Sequence, residues 1–209
     1  MKIDWGGGTV SAAWDSDADE AGALLLLTHG AGGDMNDPVL KEVGAALALR
    51  GIAVLRFNLA YREAGRRAPG SQTQSEECWR GIAAAERAEG KPLFIGGKSY
   101  GGRMATHIVA DGYPVDGLVL LSYPLHPPGK PERIRDEHLR SIDVPMLFVQ
   151  GTKDTFANPD LLAKTVGSLR SAKHVPIQDG EHSLRVRGRT PSDVADEISD
   201  AIASFVSAR

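Results

Sequence analysis

Ser99 stands in the run Gly96-Gly97-Lys98-Ser99-Tyr100-Gly101-Gly102, between the apolar stretch Pro92 to Ile95 and a segment of helical spacing that begins near Arg103. A serine on so sharp a strand-to-helix turn can expose its hydroxyl as a nucleophile for acyl transfer. The strained backbone requires small residues two positions before and after it, and Gly97 and Gly101 supply them. The pattern G-x-S-x-G alone says little in a chain with 24 glycines. The flanking strand and helix give it meaning, because they are the context the motif requires.

A serine hydroxyl needs a base, and the base needs an orienting group. Open parallel sheets gather their chemistry at the carboxyl ends of strands, so later strand ends are where the partners should stand. The run Pro145 to Gln150 reads as a buried strand, and the turn Gly151-Thr152-Lys153-Asp154 presents Asp154 as the acid. Asp160 and Asp179 are the alternatives nearby. Ala172 to Gln178 reads as another strand, and the loop Asp179-Gly180-Glu181-His182-Ser183-Leu184 offers His182 as the base. Near the start, the strand Leu24 to Leu27 runs into Thr28-His29-Gly30-Ala31-Gly32-Gly33, which resembles an oxyanion loop of the His-Gly type. The donors to a developing oxyanion would be the amides of Ala31 and Tyr100. The loop is neither G-x-x-x-x-G-K-[ST] nor G-x-G-x-x-G, so the phosphate-cradle reading fails.

The elements that must hold these residues alternate between strand and helix, the pattern of a mostly parallel, doubly wound α/β sheet with helices on both faces. Thr9 to Trp14 reads as an edge strand, and Asp37 to Arg50 as a helix with Leu40, Val43 and Leu47 on one face. Then follow the strand Ile52 to Phe57, a helix Thr73 to Glu89, the strand to Lys98, the elbow helix to about Ala110 and the strand Leu118 to Ser122. A helix near Pro159 to Leu169 separates the last two strands, and a final helix spans Ser192 to Val206, capped by Ser192. Tyr123 to Val144 is too short for a full lid. Four prolines stiffen its first half, and Ile134 to Arg140 offers one short helix. The site should therefore be open, suited to small esters or to an acyl group projecting from a larger molecule.

With these residues in place, the chain resembles a minimal α/β-hydrolase, close in layout to dienelactone hydrolases and small carboxylesterases. The order Ser99, Asp154, His182 is the order of that fold. The resemblance implies a serine hydrolase acting on an ester or thioester without a cofactor, with a peptidase or amidase of the same triad, or a non-catalytic scaffold, as alternatives. Dienelactone hydrolases carry cysteine at the elbow, and the serine here sets that substrate aside. Arg56 to Tyr61 with Arg66-Arg67, and Tyr123 to Glu132, also resemble segments of a group of small predicted hydrolases. That group includes the hydrolase-like domain of a non-specific-lethal chromatin complex subunit and a testis-expressed relative.

Composition agrees with one soluble domain over residues 1–209: 42% hydrophobic and 24% charged. A net charge of −3 gives no basic surface for nucleic acid. The longest strongly apolar run, Ala23 to Leu27, is far below the ~20 residues of a spanning helix, so no membrane partner and a cytoplasmic location are expected. Cys78, the single cysteine, falls within a helix and reads as a packing thiol. No H-x-x-x-H or H-E-x-x-H spacing supports a metal. The expected partner is a small-molecule ester or acyl substrate, and the sequence is silent on oligomeric state. His29, Tyr61, Arg62 and His126 are candidate substrate contacts, Arg62 through bidentate pairing with a carboxylate. Lys98 is expected to point away from the chemistry, and Asp34 and Asp37 to cap the next helix.

Overall fold

The structure is a computed structural model that describes residues 1–208. Among these residues one sheet is built from β1 (Lys2–Asp4), β2 (Thr9–Trp14), β3 (Ala23–Thr28), β4 (Ile52–Phe57), β5 (Leu93–Lys98), β6 (Gly117–Leu121), β7 (Met146–Gly151) and β8 (Ala172–Ile177). Their spatial order is β1-β2-β4-β3-β5-β6-β7-β8. β1 and β2 run antiparallel, and the pairs from β4 through β8 are parallel. Thr9–Trp14 is thus a strand, as expected, but β1 lies outside it and forms the true edge. The opposite edge, β8, carries Pro176, tolerated where no further strand needs its missing N–H.

The four-leucine run of β3 shows how the sheet is buried on both faces. Side chains alternate along a strand. Leu24 and Leu26 join a core with Trp79 and Ile82 of α3 (Gln72–Ala85) and Met104 and Ile108 of α4 (Tyr100–Ala110). Leu25 and Leu27 join a second core with Leu40 and Leu47 of α1 (Pro38–Ala48) and Ile198 and Ile202 of α6 (Pro191–Ser207). Cys78 is buried in the first core, where desolvation pushes its thiol up to about 12 and leaves it a packing group. The remaining helices are α2 (Ala60–Glu63) and α5 (Pro159–Ser168).

β3 pairs with β4 on one side and β5 on the other, so the loops that leave β3 and β5 diverge from a common point of the sheet. That divergence is the crevice in which open α/β sheets bind ligands. A buried ion pair braces one side of it. Arg56 of β4 grips Asp15 through Nε at 2.7 Å and Nη2 at 2.6 Å, and donates a third bond to Met35 O at 2.6 Å.

Several boundaries differ from the sequence reading. α6 is capped by Thr190, not Ser192: Thr190 and Asp193 close a capping box, with Pro191 in the first turn where its missing N–H costs nothing. α3 ends at Ala85, four residues early. Between β6 and β7 the chain holds one 3-10 turn, Glu137–Ser141, and no lid helix.

Candidate active site

Ser99 sits between β5 and α4 with φ 50° and ψ −114°, a backbone conformation that a serine adopts only under constraint. Its amide donates to Leu121 O at 2.8 Å, which fixes the turn against β6. The turn needs glycine because the neighbouring chain is so close. A Cβ on Gly101 would lie 2.5 Å from Thr28 Cγ2 and 2.6 Å from His29 O, and one on Gly97 would press into the Thr28 backbone. The elbow and the loop after β3 are therefore in direct contact.

The structure brings Ser99, His182 and Asp154 together from three loops. His182 Nε2 is 2.9 Å from Ser99 Oγ, and His182 Nδ1 is 2.8 Å from Asp154 Oδ2. Asp154 is 4% exposed. Its carboxylate also accepts from the Phe156 amide at 2.8 Å and from Gln150 Nε2 at 2.5 Å, so a buried charge is held by three donors. Phe156 stacks on the His182 ring, with centroids 4.1 Å apart and planes at 27°. Asp179, the alternative acid, pairs instead with Lys153 at 2.8 Å on the half-exposed rim, and Asp160 lies in the first turn of α5.

Gly33 N–H closes a turn onto Gly30 O at 3.1 Å, and this leaves the Ala31 amide outside the turn's own bond, on the cleft wall. Tyr100 opens α4, so its amide belongs to the first-turn donors that a helix leaves unpaired. The cleft has a volume of about 740 Å³ and is lined by Gly30, Ala31, Lys98, Phe156 and Glu181 around Ser99 and His182.

The four candidate substrate contacts are not on this cleft. His29 is fully buried; Nδ1–H donates to Gly30 O at 2.8 Å and Nε2 accepts from the Leu59 amide at 3.2 Å. Burial lowers its pKa, which keeps the ring neutral for these two roles, and it anchors the loop from behind. Tyr61 is buried edge-on against His29 and Tyr100, and desolvation raises its hydroxyl to about 12. Arg62 lies 3.3 Å from Asp34 in a separate polar hollow. His126 is buried, donating from Nδ1 to Pro127 O and accepting at Nε2 from the Asn158 amide at 2.8 Å. The rings of His29, Tyr61 and His126 are buried among the loops, and the Arg62 guanidinium is turned to Asp34.

Other readings need correction as well. Lys98 is one of the residues around the cleft, and its ammonium bonds Asp37 Oδ2 at 2.7 Å. Asp37 does cap α1, through the Val39 and Leu40 amides, whereas Asp34 binds Asn36 N and Arg62. Sequence reasoning passed over Gln150 and Phe156. No motif marks them, although both fall within four residues of Asp154.

The alpha/beta hydrolase domain family matches residues 21–208, nearly the whole described chain. The chain belongs to the alpha/beta hydrolase family. Among solved structures, it is similar to Est1E of Butyrivibrio proteoclasticus with ferulic acid bound (17% identity, 99% of each chain covered, TM-score 0.78). It is similar also to dienelactone hydrolase from Anabaena variabilis, at 17% identity over 98% of this chain and 95% of that one, with a TM-score of 0.75. An α/β serine hydrolase without a lid from Xanthomonas campestris matches at 21% identity over 98% and 93%, with a TM-score of 0.71. At these identities the likeness establishes the α/β-hydrolase fold, and the lidless architecture agrees with the short segment between β6 and β7.

Proposed function

We propose that this protein is a serine hydrolase that cleaves a carboxylic ester or thioester of a short or projecting acyl group. The observation that carries the reading is the unbroken line of hydrogen-bond distances from Asp154 through His182 to Ser99. Ser99 Oγ attacks the carbonyl carbon while His182 Nε2 takes its proton, and Asp154 holds Nδ1–H and so fixes the tautomer whose Nε2 can accept. The oxyanion that forms is met by the amides of Ala31 and Tyr100. His182 returns the proton to the departing alcohol or thiol, leaving an acyl-serine. Water, deprotonated by the same ring, then attacks the acyl carbon and frees the acid and Ser99.

Labelling with a fluorophosphonate probe, together with turnover of a matched ester, thioester and amide panel, tests the reading. Wild type should be labelled and Ser99→Ala should not. Ester and thioester turnover should exceed amide turnover. An unlabelled wild type, or labelling that survives in Ser99→Ala, overturns the assignment.

A further inference from the structure

Lys98 is the residue before the nucleophile, and both Lys98 and Asp37, whose carboxylate its ammonium bonds, are among the residues that line the same cleft. The Lys98 side chain is 13% exposed and that of its partner Asp37 14%, so the pair is largely withdrawn from water. An ammonium has three N–H donors. Among the described residues the one acceptor of Lys98 Nζ is Asp37 Oδ2, which leaves two donors for whatever occupies the cleft.

The charge of Asp37 is also not wholly available to Lys98. Its Oδ1 caps α1 through the amides of Val39 at 3.0 Å and Leu40 at 3.4 Å. A helix start carries roughly half a positive charge, so carboxylate, helix end and ammonium together leave a net positive charge on this cluster. Lys153 adds an exposed cation to the lining, neutralised by Asp179. Glu181 is the opposing charge, but it lies exposed at the mouth, where solvent and salt weaken it. A half-filled ammonium beside the nucleophile is a receptor for an oxygen anion.

Building on the hydrolase reading above, we propose that Lys98 binds a carboxylate on the substrate, so that the cleft favours esters carrying a free acid group over neutral esters of the same shape. Lys98 is then a specificity-determining residue. Its bond to Asp37 holds the ammonium in place while the substrate carboxylate takes the remaining donors.

The test compares two matched pairs by pH-stat: monomethyl glutarate against methyl 5-methylhexanoate, with the acid on the acyl side, and acetoxyacetic acid against isobutyl acetate, with it on the alcohol side. The readout is the ratio of kcat/KM, acidic over neutral. In wild type at least one ratio should exceed unity and fall with added salt. Lys98→Met should lower that ratio about 10- to 100-fold, chiefly through KM, as loss of a charge-assisted hydrogen bond implies. Asp37→Asn keeps a capping side chain but removes the competing carboxylate, so it should raise the ratio. A purely structural ion pair would make both variants depress both members of a pair equally. Such an unchanged ratio, or a wild type without preference in either pair, overturns the role of Lys98. Failure of wild type to hydrolyse any of the four esters, with Ser99 unlabelled by fluorophosphonate, instead overturns the hydrolase reading itself.

Discussion

Asp154→Asn should separate catalysis from stability. The Asp154 carboxylate faces three donors: the Phe156 amide, Gln150 Nε2 and His182 Nδ1. An asparagine has one oxygen, and the fixed Phe156 N–H claims it. The amide NH₂ then points at Gln150 and His182. Gln150 can turn over and accept with Oε1, an atom that is buried and unpartnered in the wild-type protein. His182 can accept only by moving its proton to Nε2, where it blocks deprotonation of Ser99. The expected loss in kcat is about 10⁴-fold, the size associated with the wrong imidazole tautomer in a triad. Stability should change little, because the bond that Gln150 Oε1 gains, worth ~1 kcal/mol, is offset by the bond that its Nε2 loses. Steady-state hydrolysis of a nitrophenyl acetate, with thermal unfolding of the same samples, measures both. Asp179→Asn, which touches only the Lys153 rim pair, should lose less than about tenfold. A decrease in kcat below tenfold for Asp154→Asn, or greater damage from Asp179→Asn, would refute the assignment of the acid.

Ser99→Ala should abolish turnover, with a loss on the order of 10⁶ in kcat. Ser99→Gly, which relieves the positive-φ strain, should raise stability by ~1 kcal/mol in denaturant unfolding. Asp15→Ala strands the Arg56 guanidinium in a site where it is 6% exposed, and urea unfolding should show a loss of about 3–5 kcal/mol. His138 stacks on His107 at 3.9 Å, and burial, then the neighbouring His107 and Arg103, press its pKa down to about 3. The unfolded chain therefore binds more protons between pH 6.5 and about 3, so stability should fall as pH drops through that window. With partial solvent access the loss should be about 1–3 kcal/mol, and His138→Gln should flatten the slope of melting temperature against pH. Finally, kcat/KM should stop rising at acyl chains of about six carbons, since each methylene adds ~0.8 kcal/mol only while wall remains to cover it; a steady rise to long chains would reveal a hidden groove.

By itself the sequence determined the elements and the chemistry that depends on local order. The strand-then-helix rhythm, the G-x-S-x-G turn and the placement of Asp154 and His182 after apolar runs are written in neighbouring residues. Periodicity and turn chemistry act over a few positions, so they are legible without the fold. The edge position of β1 and the use of each polar side chain were decided by tertiary structure, whereas the cap at Thr190 is a local Thr190–Asp193 capping box that the sequence also carries. His29 and His126 sit on site-facing loops in sequence terms, yet each ring is consumed by a backbone donor about thirty residues away, Leu59 for one and Asn158 for the other. Lys98 likewise takes its partner from afar, a carboxylate 61 residues before it. A side chain's role follows from which partner reaches it first inside the folded chain, and those partners are set by how strands cross over, which the residues on either side do not encode.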